Sequence, residues 1–145
     1  MAGKWCPFYN VGAAVGRNAT NLAPDVMIVQ FFLRELSAHP DFAGGTGRPA
    51  QPCGVDGFYG PNTQAWIDWL QCYLKSRGLS VTTDGRVDPA PNSDWSAKGS
   101  ISQTKYTITH MNGSFRRRYR NRHDRLESDP AVPQTLRSKF QSDEP

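Results

Sequence analysis

Apolar positions recur with helical spacing in two stretches of this chain and with strand-like alternation in a third. Between Pro24 and Ala38, Val29, Phe32, Leu33 and Leu36 follow the i, i+3, i+4, i+7 rule of a helix with one buried face. Met27, Ile28 and Phe31 lie off that stripe, and a helix apolar nearly all round is buried on more than one side. Pro24 and Asp25 suit its start, and His39-Pro40 ends it. A second helix is expected from Pro61 to Ser76, with Trp66, Trp69, Leu70, Tyr73 and Leu74 as its stripe and Gly78 placed for a left-handed cap. Residues 40–54 read as a long loop between the two. From Lys105 to Met111, Tyr106, Ile108 and His110 alternate with Thr107 and Thr109, and Asn112-Gly113 then supplies a strong hairpin signal. With Phe115 and Tyr119 on the far side, this predicts a β-hairpin over 104–120. Residues 1–21 have no period and read as an extended arm. Its apolar anchors Trp5, Phe8 and Tyr9 pack either on the chain's own domain or on a partner. Residues 126–145, with Pro130, Pro133 and Pro145, read as an extended tail.

One short signature occurs twice, 28 positions apart: Asp56-Gly57-Phe58-Tyr59-Gly60-Pro61 and Asp84-Gly85-Arg86-Val87-Asp88-Pro89. Gly allows a positive φ, Asp hydrogen-bonds its own backbone just downstream, and Pro suits the first position of a helix. Tyr59 and Val87, the third residues after Asp, are the expected core plugs. Each copy therefore reads as a turn that launches a helix.

After the first copy come Asn62-Thr63, the helix with Trp66 and Ile67, and Leu70-Gln71; after the second comes Trp95-x-Ala97. This order resembles the peptidoglycan-binding-like domain family. Its repeat runs from a hydrophobic helix to Asp-Gly-x-hydrophobic-Gly-Pro, then Thr, then a helix ending near Phe-Gln. Leu70-Gln71 stands at the Phe-Gln place, and Asp88 stands where the family has Gly. The resemblance covers residues 22–98. It implies a small three-helix domain whose third, short helix spans about Ser93–Lys98, and a non-catalytic role. The expected architecture is thus mainly α: an arm (1–21), the helical domain (22–98), a β-hairpin with an Arg-rich segment (99–125) and a tail (126–145).

Charge changes the picture at one place. Residues 1–95 carry seven basic and eight acidic groups, whereas 116–125 carry six Arg against one Asp. The net charge of +4 is thus created by one segment. No apolar run is long enough to span a membrane. The N-terminus lacks the basic, apolar, small-residue order of a signal peptide, so synthesis in the cytoplasm without export by that route is expected. Cys6, Cys53 and Cys72 lack metal-ligand spacing and read as reduced thiols.

No catalytic constellation is found. His39, His110 and His123 are scattered, no metal or cofactor is implied, and Asp84 and Asp88 belong to the turn signature rather than to an acid pair. Two binding sets remain. Tyr59, Trp66 and Trp69, with Asn62 and Gln64 nearby, are the residue types of a glycan site, although Trp66 and Trp69 at helical spacing also fit a core. Phe115, Arg116, Arg117, Arg118, Tyr119, Arg120 and Arg122 mix aromatic and guanidinium groups, as protein interfaces do. Nucleic acid is the less favoured partner for that set. Long arms around a small domain suit a subunit laced to its neighbours. The expectation is a non-enzymatic structural protein of a bacteriophage virion or tail-like particle. The alternatives are a free cell-wall binding module and a nucleic-acid-binding protein.

Overall fold

The computed structural model describes residues 7–44, 47–99 and 103–143. In chain order its elements are β1 (Val15–Gly16), α1 (Ala23–Ala38), α2 (Pro61–Ser76), β2 (Arg86–Val87), α3 (Thr107–Arg118), α4 (Arg120–His123) and α5 (Gln134–Asp143). The described chain is mainly helical with one small sheet, in which β1 pairs antiparallel to β2 with Val15 opposite Val87.

α1 is the central element, and it packs against α2, α3 and α5. That explains its composition. Val29, Phe32, Leu33 and Leu36 are buried, and so are Ile28 and Phe31 off the stripe. Phe31 and Phe32 each meet the Phe115 ring edge-on, at 5.8 and 5.7 Å. α2 buries Trp66, Ile67, Trp69, Leu70 and Leu74, close to the expected stripe. It ends as expected at Gly78, which has φ +86° and donates its N–H to the Lys75 carbonyl.

The duplicated signature forms two equivalent turns. Gly57 and Gly85 have φ of +80° and +73°. Asp56 Oδ1 accepts the Phe58 N–H, and Asp84 Oδ1 accepts the Arg86 N–H, each at 3.0 Å. Each turn is gripped by a buried glutamine from the preceding helix. Gln30 Oε1 accepts the Asp56 and Gly57 N–H groups, while its Nε2 donates to the Phe58 carbonyl and the Thr63 hydroxyl. Gln71 Oε1 accepts the Gly85 N–H, while its Nε2 donates to the Arg86 carbonyl and the Thr107 hydroxyl. A primary amide carries both a donor and an acceptor, so one side chain satisfies both edges of a buried turn. Each clamp thus ties a helix, the following turn and the threonine of the next helix.

The second copy departs from expectation in what it launches. It runs into β2 rather than into a helix. Its threonine, Thr107, lies twenty-three residues after Asp84, whereas Thr63 lies seven after Asp56. The short helix expected near Ser93–Lys98 is replaced by a 3-10 turn at Pro91–Ser93 and an isolated bridge between Lys98 and Lys105. The third helix of the core is α3.

α3 also overturns the β-hairpin over 104–120. The alternation Tyr106–His110 coincides with a helical stripe, Ile108, Met111, Asn112 and Phe115, all buried. Burial against α1 and the Gln71–Thr107 bond favour the helix over the local Asn-Gly turn preference. Asn112 instead turns inward. Its Oδ1 accepts the Tyr9 N–H, and its Nδ2 donates to the Tyr9 and Ile108 carbonyls, each at 2.9 Å.

The described part of the N-terminal segment folds on its own domain. Tyr9, Val11 and Val15 are buried, and the buried Asp25 carboxylate accepts the Gly12 and Ala13 N–H groups. Asn10 bonds both the N–H and the carbonyl of Ala90. Trp5 and Cys6 lie outside the described residues. The extended tail is likewise corrected: Leu126, Val132, Leu136 and Phe140 bury their side chains around a 3-10 turn and α5, and Tyr9 meets Phe140 at 4.6 Å. These apolar residues are too widely spaced to form a stripe until the prolines fold the segment back.

Candidate functional site

The glycan set does not form an open aromatic face. Trp66 and Trp69 are 3% and 4% exposed. The loop before α2 covers them, with the Arg48 guanidinium 5.5 and 5.4 Å from their ring centres. Trp66 Nε1 donates to the Gln51 carbonyl, and Asn62 Nδ2 to the Pro52 carbonyl. Gln64 Nε2 donates to Asp68 and to the Gly85 carbonyl, and the Tyr59 hydroxyl donates to Gln64 Oε1. All five residues brace α2 and its flanking loops. The exposed aromatic of this region is Phe58, 78% exposed at the tip of the first Asp-Gly turn.

The arginine set is divided by the fold. Phe115 is fully buried, so it offers nothing to a partner. Arg118 binds Asp41 at 2.9 Å and lies over Phe42. Arg122 binds Glu35 and Asp129, each at 2.8 Å, and its guanidinium lies over Phe115 and Tyr119. Burial opposes the Arg122 charge, but the hydrogen bonds to Asp129 and Glu35 outweigh it and raise its pKa above the ordinary value. These two arginines fasten α3 and α4 to α1 and the tail, and Tyr119 lies against His39, 5.5 Å between ring centres. The expected partner surface of seven residues is therefore not one surface.

What remains open is a cleft of about 450 Å³ lined by Trp95, Gly113, Arg116, Arg117 and Arg120. Gly113, Arg116 and Arg117 follow the i, i+3, i+4 spacing of one face of α3, away from the buried stripe, and Arg120 opens α4 after the non-helical Tyr119. Arg116 Nε donates to Asp124 at 3.1 Å. Burial raises the Asp124 carboxyl, but the hydrogen bond and the charge of Arg116 outweigh it and hold it below the usual carboxylate range. The Arg117 and Arg120 side chains make no hydrogen bond or ion pair to a described residue. Trp95 forms the other wall. It is held by an edge-on contact with Phe8 at 5.1 Å and a tilted contact with His123 at 5.9 Å. Its indole N–H is shielded and has no acceptor among the described residues.

Behind this wall, His123 is fully buried, with Nε2 2.9 Å from Asn112 Oδ1. Burial pushes its pKa down to about 4, which the neighbouring Asp124 only partly offsets and Arg116 reinforces. Above pH 6.5 the ring is neutral in both the folded and the unfolded chain. On acidification the unfolded chain takes up the proton first. Stability should therefore fall between pH 6.5 and about 4, by about 3 kcal/mol in all. Urea unfolding across that window should show the fall in the wild type and a flatter profile in His123→Gln. Equal slopes would mean that His123 is not the group responsible.

Cys53 is buried, and its thiol is pushed up to about 12 by that burial and by the Asp56 charge, so it is inert; Cys72 is exposed. No three His, Cys, Asp or Glu side chains among the described residues are grouped to hold a metal ion. No helix among them is long and apolar enough to cross a membrane. Comparison with family models, with curated proteins and with solved structures finds no match.

Several structural residues were missed in the sequence: Gln30, Asn10, Asn112, Asp25 and the buried His123. Gln30 alone carried a usable signal, because it precedes the first Asp-Gly turn as Gln71 precedes the second.

Proposed function

We propose that this chain is a non-enzymatic cell-wall binding module built on a duplicated peptidoglycan-binding-like core. The observation that carries the reading is the pair of amide-clamped turns. Gln30 with Asp56-Gly57 and Thr63, and Gln71 with Asp84-Gly85 and Thr107, make the same contacts twice. Gln71, both Asp-Gly pairs and Thr63 are the positions on which the resemblance rests. The assignment of Thr107 moves the last helix of that repeat from Trp95 to α3. A shared fold is an argument by analogy, so the binding itself needs a direct test.

The particle-subunit reading rested on free arms. Tyr9, Val11 and Val15 of the N-terminal segment and Leu126, Val132, Leu136 and Phe140 of the C-terminal one join the common core, which removes that argument. Nucleic-acid binding loses ground for a related reason. Arg116, Arg118 and Arg122 are paired with carboxylates of the chain, which leaves too few free guanidinium groups in the set to track a duplex backbone.

Purified sacculi are the test. The chain should co-sediment with insoluble peptidoglycan, and pre-digestion of the wall should abolish the pellet. A chain that stays in the supernatant with intact sacculi overturns the reading.

A further inference from the structure

We infer that the cleft between Trp95 and α3 is the ligand site, and that it takes a carboxylate-bearing peptide end of the wall polymer. The inference rests on the proposed wall-binding reading and adds the site and the chemical group recognised.

The cleft joins residues that the fold holds in place, Trp95 and Arg116, to two arginines whose side chains it does not engage among the described residues. Arg117, near the end of α3, and Arg120, the first residue of α4, both line the cleft, and neither side chain has a carboxylate partner among the described residues. Two guanidinium groups that line one cleft without described carboxylate partners repel each other, and an anion bound between them relieves that repulsion. Arg116 stands beside them but is engaged by Asp124, so the free positive charge of the cleft is that of Arg117 and Arg120. That suits one or two carboxylates rather than a long run of phosphates. A guanidinium presents a planar donor fork that matches a carboxylate bidentately.

Trp95 supplies the apolar half. Gly113 is the residue of α3 that faces it, and a Cβ there would lie 4.0 Å from Trp95 Cζ3. Any longer side chain at 113 would project into the cleft. Phe8 and His123 hold the ring from other sides, so Trp95 is fixed before a ligand arrives. A rigid indole beside paired arginines gives an amphipathic ligand an apolar surface and a charged anchor together. The volume, about 450 Å³, matches a short peptide or a sugar unit rather than a protein domain. The wall of the cleft comes from the stretch between the second Asp-Gly turn and α3, the part of the chain that has no counterpart after the first turn.

The experiment titrates a disaccharide-tetrapeptide, released from purified sacculi, into the full chain and follows binding by calorimetry. The wild type should bind it. Arg117→Gln/Arg120→Gln should weaken binding about tenfold or more, because two charge-assisted hydrogen bonds are lost. Amidating the fragment's carboxylates should weaken binding to the wild type comparably. Arg125→Gln, exposed and outside the cleft, should bind as the wild type does. Thermal unfolding should be unchanged in all variants, since none of these arginine side chains has a hydrogen-bond or ion-pair partner among the described residues. If the double variant binds the fragment like the wild type, or amidation has no effect, the cleft assignment falls while sacculus binding stands. If neither sacculi nor fragment is bound, both readings fall. If a duplex oligonucleotide is held more tightly than the fragment and released by the same double variant, the site is a phosphate site and the proposal is overturned.

Discussion

Replacing Gln71 by alanine is expected to cost about 3–5 kcal/mol, among the largest losses available to a single polar residue here. The side chain is buried and serves three groups at once: the Gly85 N–H at 2.8 Å, the Arg86 carbonyl at 2.8 Å and the Thr107 hydroxyl at 3.0 Å. Truncation strands the two backbone groups away from water and leaves a cavity beside them. Each buried orphan costs about 1–3 kcal/mol. Gln71→Met separates the two causes, because it keeps the volume and removes the hydrogen bonds. It should retain most of the loss if the polar clamp dominates. Gln30→Ala should behave similarly at the first turn, where its amide serves the Asp56 and Gly57 N–H groups. Urea unfolding measures all three variants. A loss below about 1 kcal/mol for Gln71→Ala would show that water or a relaxed turn replaces the amide, and that the clamp does not hold the repeat together.

Gly16→Ala should be as damaging, for a steric reason. Gly16 has φ +128°, and a Cβ there would lie 2.2 Å from the Gly85 carbonyl oxygen and 3.0 Å from Arg86 Cα. Both obstacles are backbone, so no side-chain rotation relieves them. The β1–β2 pair would have to separate, and with it the Arg17 N–H to Gly85 carbonyl bond. Left-handed strain and overpacking together give a cost of about 3 kcal/mol or more. Amide exchange distinguishes local from global damage. Val15 and Val87 should lose protection first, with the α1 amides still slow. Unchanged protection at Val87 would mean that the strands accommodate the methyl group and that their close approach is not required.

The two variants strike the same place from opposite sides. Gly85 is held by Gln71 from the helix and met by Gly16 from the N-terminal segment. The second Asp-Gly turn is thus one of the places where the N-terminal segment is joined to the helical core. Arg17 extends the contact through its ion pair with Asp68, although that pair is about half exposed and adds little stability.

α1 and α2 were legible because their periodicity is strong and their starts carry proline. The two Asp-Gly turns were legible because only glycine takes their φ without strain, so the residue types announce the conformation. α3 was not legible, since Thr107–His110 and Asn112-Gly113 have strong local preferences for strand and turn. Those preferences are overridden by a buried face that exists only when α1 is in place. The N-terminal and C-terminal segments misled for the same reason: Tyr9, Val15, Leu126 and Phe140 make contacts far apart in the chain, and no local period records them.

The arginine segment shows the division most clearly. Its composition announces a positive charge on one stretch of chain, and that much needs no structure. Which charges are available is a tertiary matter. Glu35 comes from α1, Asp41 from the following turn and Asp129 from the tail, and together they neutralise Arg118 and Arg122. Arg117 and Arg120 are left beside Trp95 because the one carboxylate near them, Asp124, is taken by Arg116, and no other described carboxylate pairs with either. Helix periods, glycine turns and net charge are properties of residues and their immediate neighbours, so the sequence alone determined them. The pairing of charges, the burial of Trp66 and Trp69 and the opening of the cleft depend on which distant segments meet, and only the folded chain decided them.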